Sequence, residues 1–184
     1  VPADEIASVR LGNQNAGSQA ERITYEFDVQ DDLVLLMKYA VVLENPGHDL
    51  TAGGGDPYFG LQILKEDGTP IDSEAACGEA FFKPTQNPEE WKHHKPSLGV
   101  DFVWKDWNTI GIDLRQYKGQ KVKIQLTTQD CTLGKHGGYA YFTLDCISAT
   151  ISSEGCDTVS LEAPSGFKYY WYNDENKNFK PSTN

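Results

Sequence analysis

The stretch Asp101–Cys146, DFVWKDWNTIGIDLRQYKGQKVKIQLTTQDCTLGKHGGYAYFTLDC, reads as strand, turn, strand, long loop and strand. Ile110, Ile112 and Leu114 alternate with Thr109, Gly111 and Asp113, and Val122, Ile124 and Leu126 alternate with Lys121, Lys123 and Gln125. A period of two sends successive side chains to opposite faces, so each run predicts a strand with one buried face. Lys118 and Gly119 lie between them as a turn. Gly138–Cys146 then sets Ala140, Phe142 and Leu144 on one face and Tyr139, Tyr141, Thr143 and Asp145 on the other.

The same pattern extends outward. Ile6–Leu11 predicts a short first strand and Gly12–Gln19 a polar loop. Ile23, Tyr25, Phe27 and Val29 alternate with Thr24, Glu26 and Asp28, and Leu33–Glu44 is the most hydrophobic run of the chain. With only Gln30–Asp32 between them, these two strands are expected to pair as a hairpin. Asn45–Asp56, rich in Gly, is a surface loop, and Tyr58–Lys65 is a strand closed by the Glu66, Asp67, Gly68 turn. Pro84, Pro88 and Pro96 disfavour helix and central strand through residues 70–98, where only Glu79–Lys83 is strand-like. Beyond Cys146, Ala149–Ser152 ends a strand, Thr158–Leu161 and Phe167–Tyr172 are short strands, and Asn173–Asn184 is a polar, frayed tail. No helix-period segment carries caps. The prediction is an all-β chain of roughly ten strands in two packed antiparallel sheets.

At 184 residues the chain suffices for one well-buried domain with or without a small appendage. Its net charge of -11 argues against the basic surface that nucleic-acid binding needs. No run approaches the roughly 18 apolar residues of a membrane span, and Val1–Arg10 lacks the basic and apolar regions of a signal peptide. Cys77, Cys131, Cys146 and Cys156 show no CxxC spacing, which favours disulfides in an oxidising compartment over a zinc site. Buried free thiols are the competing reading, and the connectivity stays open.

With the strands placed, the chain resembles jelly-roll modules of secreted and surface proteins of Bacteroidota, which stand beside PKD-like or immunoglobulin-like repeats. The resembling residues are RLGN (Arg10–Asn13), AERITYEF (Ala20–Phe27), YAVVLENPGH (Tyr39–His48), KDWNTIGIDLRQYKGQ (Lys105–Gln120) and TTQDCTLGKHGGYAYFTLDC (Thr127–Cys146). The chain is similar, more loosely, to MAM and galactose-binding-like domains, whose WxxxxxDLxxYxGxxVxI pattern fits Trp107, Asp113, Leu114, Tyr117, Gly119, Val122 and Ile124. The resemblance implies a β-sandwich domain over residues 1–152 and, over 153–184, an extension resembling the start of an immunoglobulin-like repeat. It also implies that the chain is part of a longer surface protein. Modules of this shape hold a structural Ca²⁺ against an acidic residue of the last strand, a position that Asp145 matches, with Glu21 as partner.

The oxygen-rich shell of Ca²⁺ could draw on Glu21, Asp130 and Asp145 with carbonyls of the Gly12–Gln19 loop, or these carboxylates could simply pair with Lys and Arg. His48 and His136 lie in Gly-containing loops, as ligand contacts or as loop-bonding histidines. Sugar binding needs exposed aromatic faces, and Tyr58, Trp91, Tyr139 and Tyr141 are the candidates, with loop anchoring the alternative for Trp91. Trp104 and Trp107 are read as packing residues.

Enzyme motifs are missing from the sequence: there is no GxSxG elbow, HExxH pair or GxxxxGK loop. The expected function is therefore a non-catalytic, extracellular binding or adhesion module of a cell-surface protein, with glycan or extracellular protein as partner and no nucleic acid or membrane insertion. A structural spacer without its own ligand, and an accessory domain of a secreted glycoside hydrolase or peptidase, are the alternatives.

Overall fold

The computed structural model of the chain describes residues 1–30, 33–45, 47, 55–71, 78–86, 88–97, 99–148, 150–154, 160–164, 166–167, 169–172 and 179–182. Its strands in chain order are β1 (Val9–Asn13), β2 (Ala20–Asp28), β3 (Leu33–Asn45), β4 (Tyr58–Lys65), β5 (Glu79–Phe82), β6 (Lys92–His94) and β7 (Asp101–Asp113). They continue as β8 (Lys121–Gln129), β9 (Gly138–Ser148), β10 (Ser152–Glu154), β11 (Ser160–Glu162), β12 (Tyr169–Tyr172) and β13 (Phe179–Ser182). Among the described residues the only helical turns are the short 3₁₀ segments Pro88–Glu90 and Arg115–Tyr117.

Two antiparallel sheets form the body. One has the order β1-β9-β3-β7-β6, the other β2-β8-β4-β5. Early strands neighbour late ones in each sheet and the chain crosses repeatedly between layers, which is the jelly-roll arrangement of a β-sandwich. The expected all-β sandwich is therefore what the chain forms.

The core lies between the inner faces predicted by the alternation. Met37, Val41 and Leu43 of β3, Phe59, Leu61 and Ile63 of β4, Ile112 of β7 and Val122, Ile124 and Leu126 of β8 are all at most 2% exposed. Burying each such side chain stabilises the fold by about 1.5–3 kcal/mol, so this layer dominates the energetics. Trp91 enters the same core from the Pro-rich segment.

Three expectations need correction. The first is the β2–β3 hairpin: β2 pairs with β8 and β3 with β7 and β9, in opposite sheets. Cross-strand charge explains the choice, because Glu26 and Asp28 of β2 stand opposite Lys123 and Lys121 of β8. The second is the Pro-bounded segment, which contributes β6 as an edge strand on β7. The third is the polar tail, which holds β13, hydrogen-bonded to β12.

β3 is buried continuously from Val34 to Met37, then alternates from Lys38 to Glu44. The outer face of its first half is covered by the chain's own C-terminal extension. The amide of Gly111 donates to the carbonyl of Gly166 at 3.2 Å, and Gly111 lies opposite Leu36 in the ladder. A Cβ on Gly111 would stand 2.3 Å from the Phe167 ring, so the glycine is what admits the aromatic to the sheet. At the midpoint, Asp4 and Glu5 cross the face to meet Lys38, the Glu5 contact at 2.7 Å.

Candidate functional site on the open half of the five-stranded sheet

Beyond Lys38 the described outward residues of the five-stranded sheet are half-buried to exposed. The register sets Gly12 of β1, Tyr139 of β9, Val42 of β3, Trp104 of β7 and Lys92 of β6 in one row across all five strands. Tyr139 and Trp104 are thus two strand spacings apart, about 10 Å, with the half-buried Val42 as floor between them. Phe102 and His94 follow in the next outward row beside Glu44, and Tyr141 flanks Tyr139.

Both tyrosine rings are held. Tyr139 and Tyr141 meet edge to face at 5.9 Å, and the Arg10 guanidinium lies 4.7 Å over the Tyr139 ring. The Asp106 carboxyl, two residues along β7 from Trp104, sits below its ordinary range chiefly through its hydrogen bond from Lys92 and in part through Trp104. A shallow depression between Tyr139 and Phe102 is bounded by Asn13, Gln14, Val42 and Glu44. Its rim is tied down: Glu44 accepts the Gly137 amide at 2.8 Å, and Asn13 donates to Gln19 and Glu21 at 3.1 Å each. Aromatic faces, a small apolar floor and fixed polar groups can hold a flat ligand with alternating apolar and hydroxyl surfaces.

Tyr139 and Tyr141 are the sequence candidates that converge here. Tyr58 lies in the other sheet, bonded to Gln129 at 3.2 Å and edge-on to Phe81. Trp91 is a correction: it is 5% exposed, its indole N–H donates to the Gln86 carbonyl at 3.0 Å, and Lys105 covers its ring at 5.1 Å. It anchors a loop and offers no face to a ligand. His136 places Nδ1 3.5 Å from the buried Cys131 sulfur, and its carbonyl accepts the Cys131 amide at 2.8 Å, which makes it a loop-closing residue.

The three carboxylates expected around Ca²⁺ do not come together. Glu21 accepts from the Gly12 amide at 2.8 Å and from Asn13, while Asp130 accepts from the amides of Gly17 and Gln19 at 3.0 and 2.9 Å. Their charge orders the Gly12–Gln19 loop directly. Asp145 lies seven residues along β9 from Gly138, roughly 23 Å of extended strand, exposed and bonded to the Cys146 amide. Among the described residues no three His, Cys, Asp or Glu side chains gather as a metal cage. Of the four cysteines expected to form disulfides, Cys131 stands as a buried and Cys146 as an exposed free thiol. The partial desolvation of its sulfur and the adjacent Asp145 charge push the Cys146 thiol up, although the residue as a whole is exposed. His48, Cys77 and Cys156 lie outside the described residues.

Sequence reading missed Trp104, Phe102, Val42 and Arg10. The signal was present for two of them: Phe102 and Trp104 flank the buried Val103, and alternation sends both to the face opposite it. No protein-family model and no curated protein matches this chain.

Proposed function

We propose that this chain is a non-catalytic, extracellular binding module that recognises glycan on the open half of its five-stranded sheet. The observation that supports the reading is the Tyr139–Val42–Trp104 row, half-exposed on the outer face of the sheet, while the half of that face around Gly111 is covered by Phe167. Tyr and Trp present an apolar ring face and a polar tip, which suits the C–H face and hydroxyl edge of a sugar ring. Arg10, Asn13, Gln14 and Glu44 supply donors and acceptors at the rim. Because the rim is already hydrogen-bonded, little ordering cost falls on binding. Display on a secreted or surface protein belongs to the same proposal.

A glycan array followed by titration calorimetry tests it. Trp104→Ala and Tyr139→Ala are each expected to weaken binding by roughly tenfold or more, a loss of about 1.4 kcal/mol, with little change in melting temperature. Tyr58→Ala, on the opposite sheet, should bind as the parent does. No binding to any glycan, or binding lost with Tyr58→Ala and kept with Trp104→Ala, overturns the reading; capture of a protein ligand instead would do the same.

A further inference from the structure

The sandwich has four lateral edges, and three are short: β1 has five residues, β5 four and β6 three. The fourth, β2, runs nine residues in unbroken register on β8, with no Pro, Gly, Lys or bulge. Short strands, Pro, bulges and charges are how proteins blunt an edge; of these β2 carries only charges, Glu21, Arg22, Glu26 and Asp28, and they are of both signs. Its inward face is uncovered as well. Ile23 and Tyr25 stand opposite the buried Leu126 and Ile124, on the core side of the sheet, yet are 43% and 59% exposed. Opposite them β1 stops at Val9, itself 48% exposed.

The free hydrogen-bonding groups of this edge can be assigned. Val29 donates to Gln120, and Gln19 accepts from Asp130, so odd-numbered residues bond to β8. Alternation then directs the amides and carbonyls of Ala20, Arg22, Thr24, Glu26 and Asp28 outward.

We propose that a second copy of this chain occupies the β2 edge, strand against antiparallel strand, about a two-fold axis at Thr24. In that register every outward backbone group meets one of its kind's complement. Arg22 faces Glu26 of the second copy, and Glu26 faces its Arg22. Ile23 faces Tyr25 on the apolar side, again twice. A parallel pairing would set Glu against Glu and Arg against Arg, so charge selects the antiparallel one. Both partners are available: Arg22 makes one long bond, to Thr127 at 3.4 Å, and no ion pair among the described residues. Glu26 pairs with Lys121 and Lys123 of its own copy at 3.3 and 3.6 Å, and its carboxylate, 44% exposed, is open to a further cation. The axis stands perpendicular to the sheet, so the two four-stranded sheets become one and both five-stranded sheets lie on its same side. Two sugar-binding faces would then point the same way, which strengthens attachment to a repeating surface.

Sedimentation equilibrium of the chain over rising concentration, in a Cys146→Ser background, is the first test, and a monomer–dimer equilibrium is expected. Thr24→Pro removes an outward amide that bonds nothing within its own copy, so the fold should persist. Losing the two bonds across the axis should weaken the dimer by roughly thirtyfold or more. Under oxidising conditions Thr24→Cys should cross-link, its Cα atoms about 5.5 Å apart across the axis, whereas Ala20→Cys should not. A chain that stays monomeric, a dimer indifferent to Thr24→Pro, or cross-linking by Ala20→Cys and not by Thr24→Cys overturns the proposal. Should Thr24→Pro fail to fold, the cysteine pair alone decides. Glycan binding by the monomer is read separately, so either proposal can fail without the other.

Discussion

The two halves of β3 carry the same inner face and different outer ones. From Val34 to Met37 every residue is buried, because Phe167 and its neighbours cover the outer side; from Lys38 to Glu44 only the inner positions are buried. The sequence barely marks the difference: past Lys38, LVLLM is followed by the equally apolar YAVVL, whose Ala40 and Val42 face outward and are half-buried. It is the burial that alternates, as expected of a strand covered on one side. Within a single strand, then, burial tells where the chain shields itself, and the outward apolar residues of the second half are surface left for something else. The open half is also where the outward aromatics stand, which is why the binding proposal falls there.

The strongest way to break the comparison is to attack what the halves share. Leu35 lies beneath the covered half and Leu43 beneath the open half, at 1% and 0% exposure. Leu35→Ala and Leu43→Ala should each cost about 2–5 kcal/mol, the range for a buried leucine cavity, measured by urea denaturation. If the two costs differ widely, the inner face is not one common support.

A smaller effect separates the halves. Gly111→Val places a side chain where the Phe167 ring now sits. Overpacking of this kind costs about 1–3 kcal/mol, and here the relief lies in release of the C-terminal extension. Limited proteolysis should then cut more readily after Ser148, while sugar binding at Tyr139 and Trp104 stays as in the parent. Loss of that binding would show that the covering segment also shapes the open half.

Much of this was legible before any coordinates. The inner positions of β7, β8 and β9 follow from alternation alone, and Tyr58–Lys65 is a strand with the bounds its residues suggest. What could not be read is what depends on partners distant in sequence. The Gln30–Asp32 connection suits a hairpin as well as a crossing between sheets, and only the lysines of β8 decide it. Glu21 and Asp130 look like metal ligands because carboxylates in a Gly- and Asn-rich setting suit both jobs. The backbone amides that take up their oxygens belong to Gly12, Gly17 and Gln19, placed by the fold. Trp91 was misread because a tryptophan between prolines gives no periodicity to show which way it faces.

The smallest expected effect sits at the end of the covered half. Asp113 closes β7 opposite Val34, and Arg115 grips it through Nε at 2.9 and 3.0 Å and Nη2 at 2.5 Å, while its own amide donates to the same carboxylate at 3.0 Å. These bonds, the Arg115 side chain foremost, hold the Asp113 carboxyl below its ordinary range, against the opposing effect of burial. A group whose pKa is depressed in the folded chain contributes stability above its unfolded value, near 3.9 for Asp, and loses it as pH falls through the folded value. The pair is partly exposed, 55% for Arg115 and 40% for Asp113, so solvent screening limits it to about 1 kcal/mol or less. Asp113→Asn should therefore melt slightly below the parent at pH 6–8, and the gap should close as pH falls beneath about 3.9. A gap that persists undiminished in acid would mean that the carboxylate's charge is not what steadies this corner, leaving the backbone-to-side-chain bonds around it to do so.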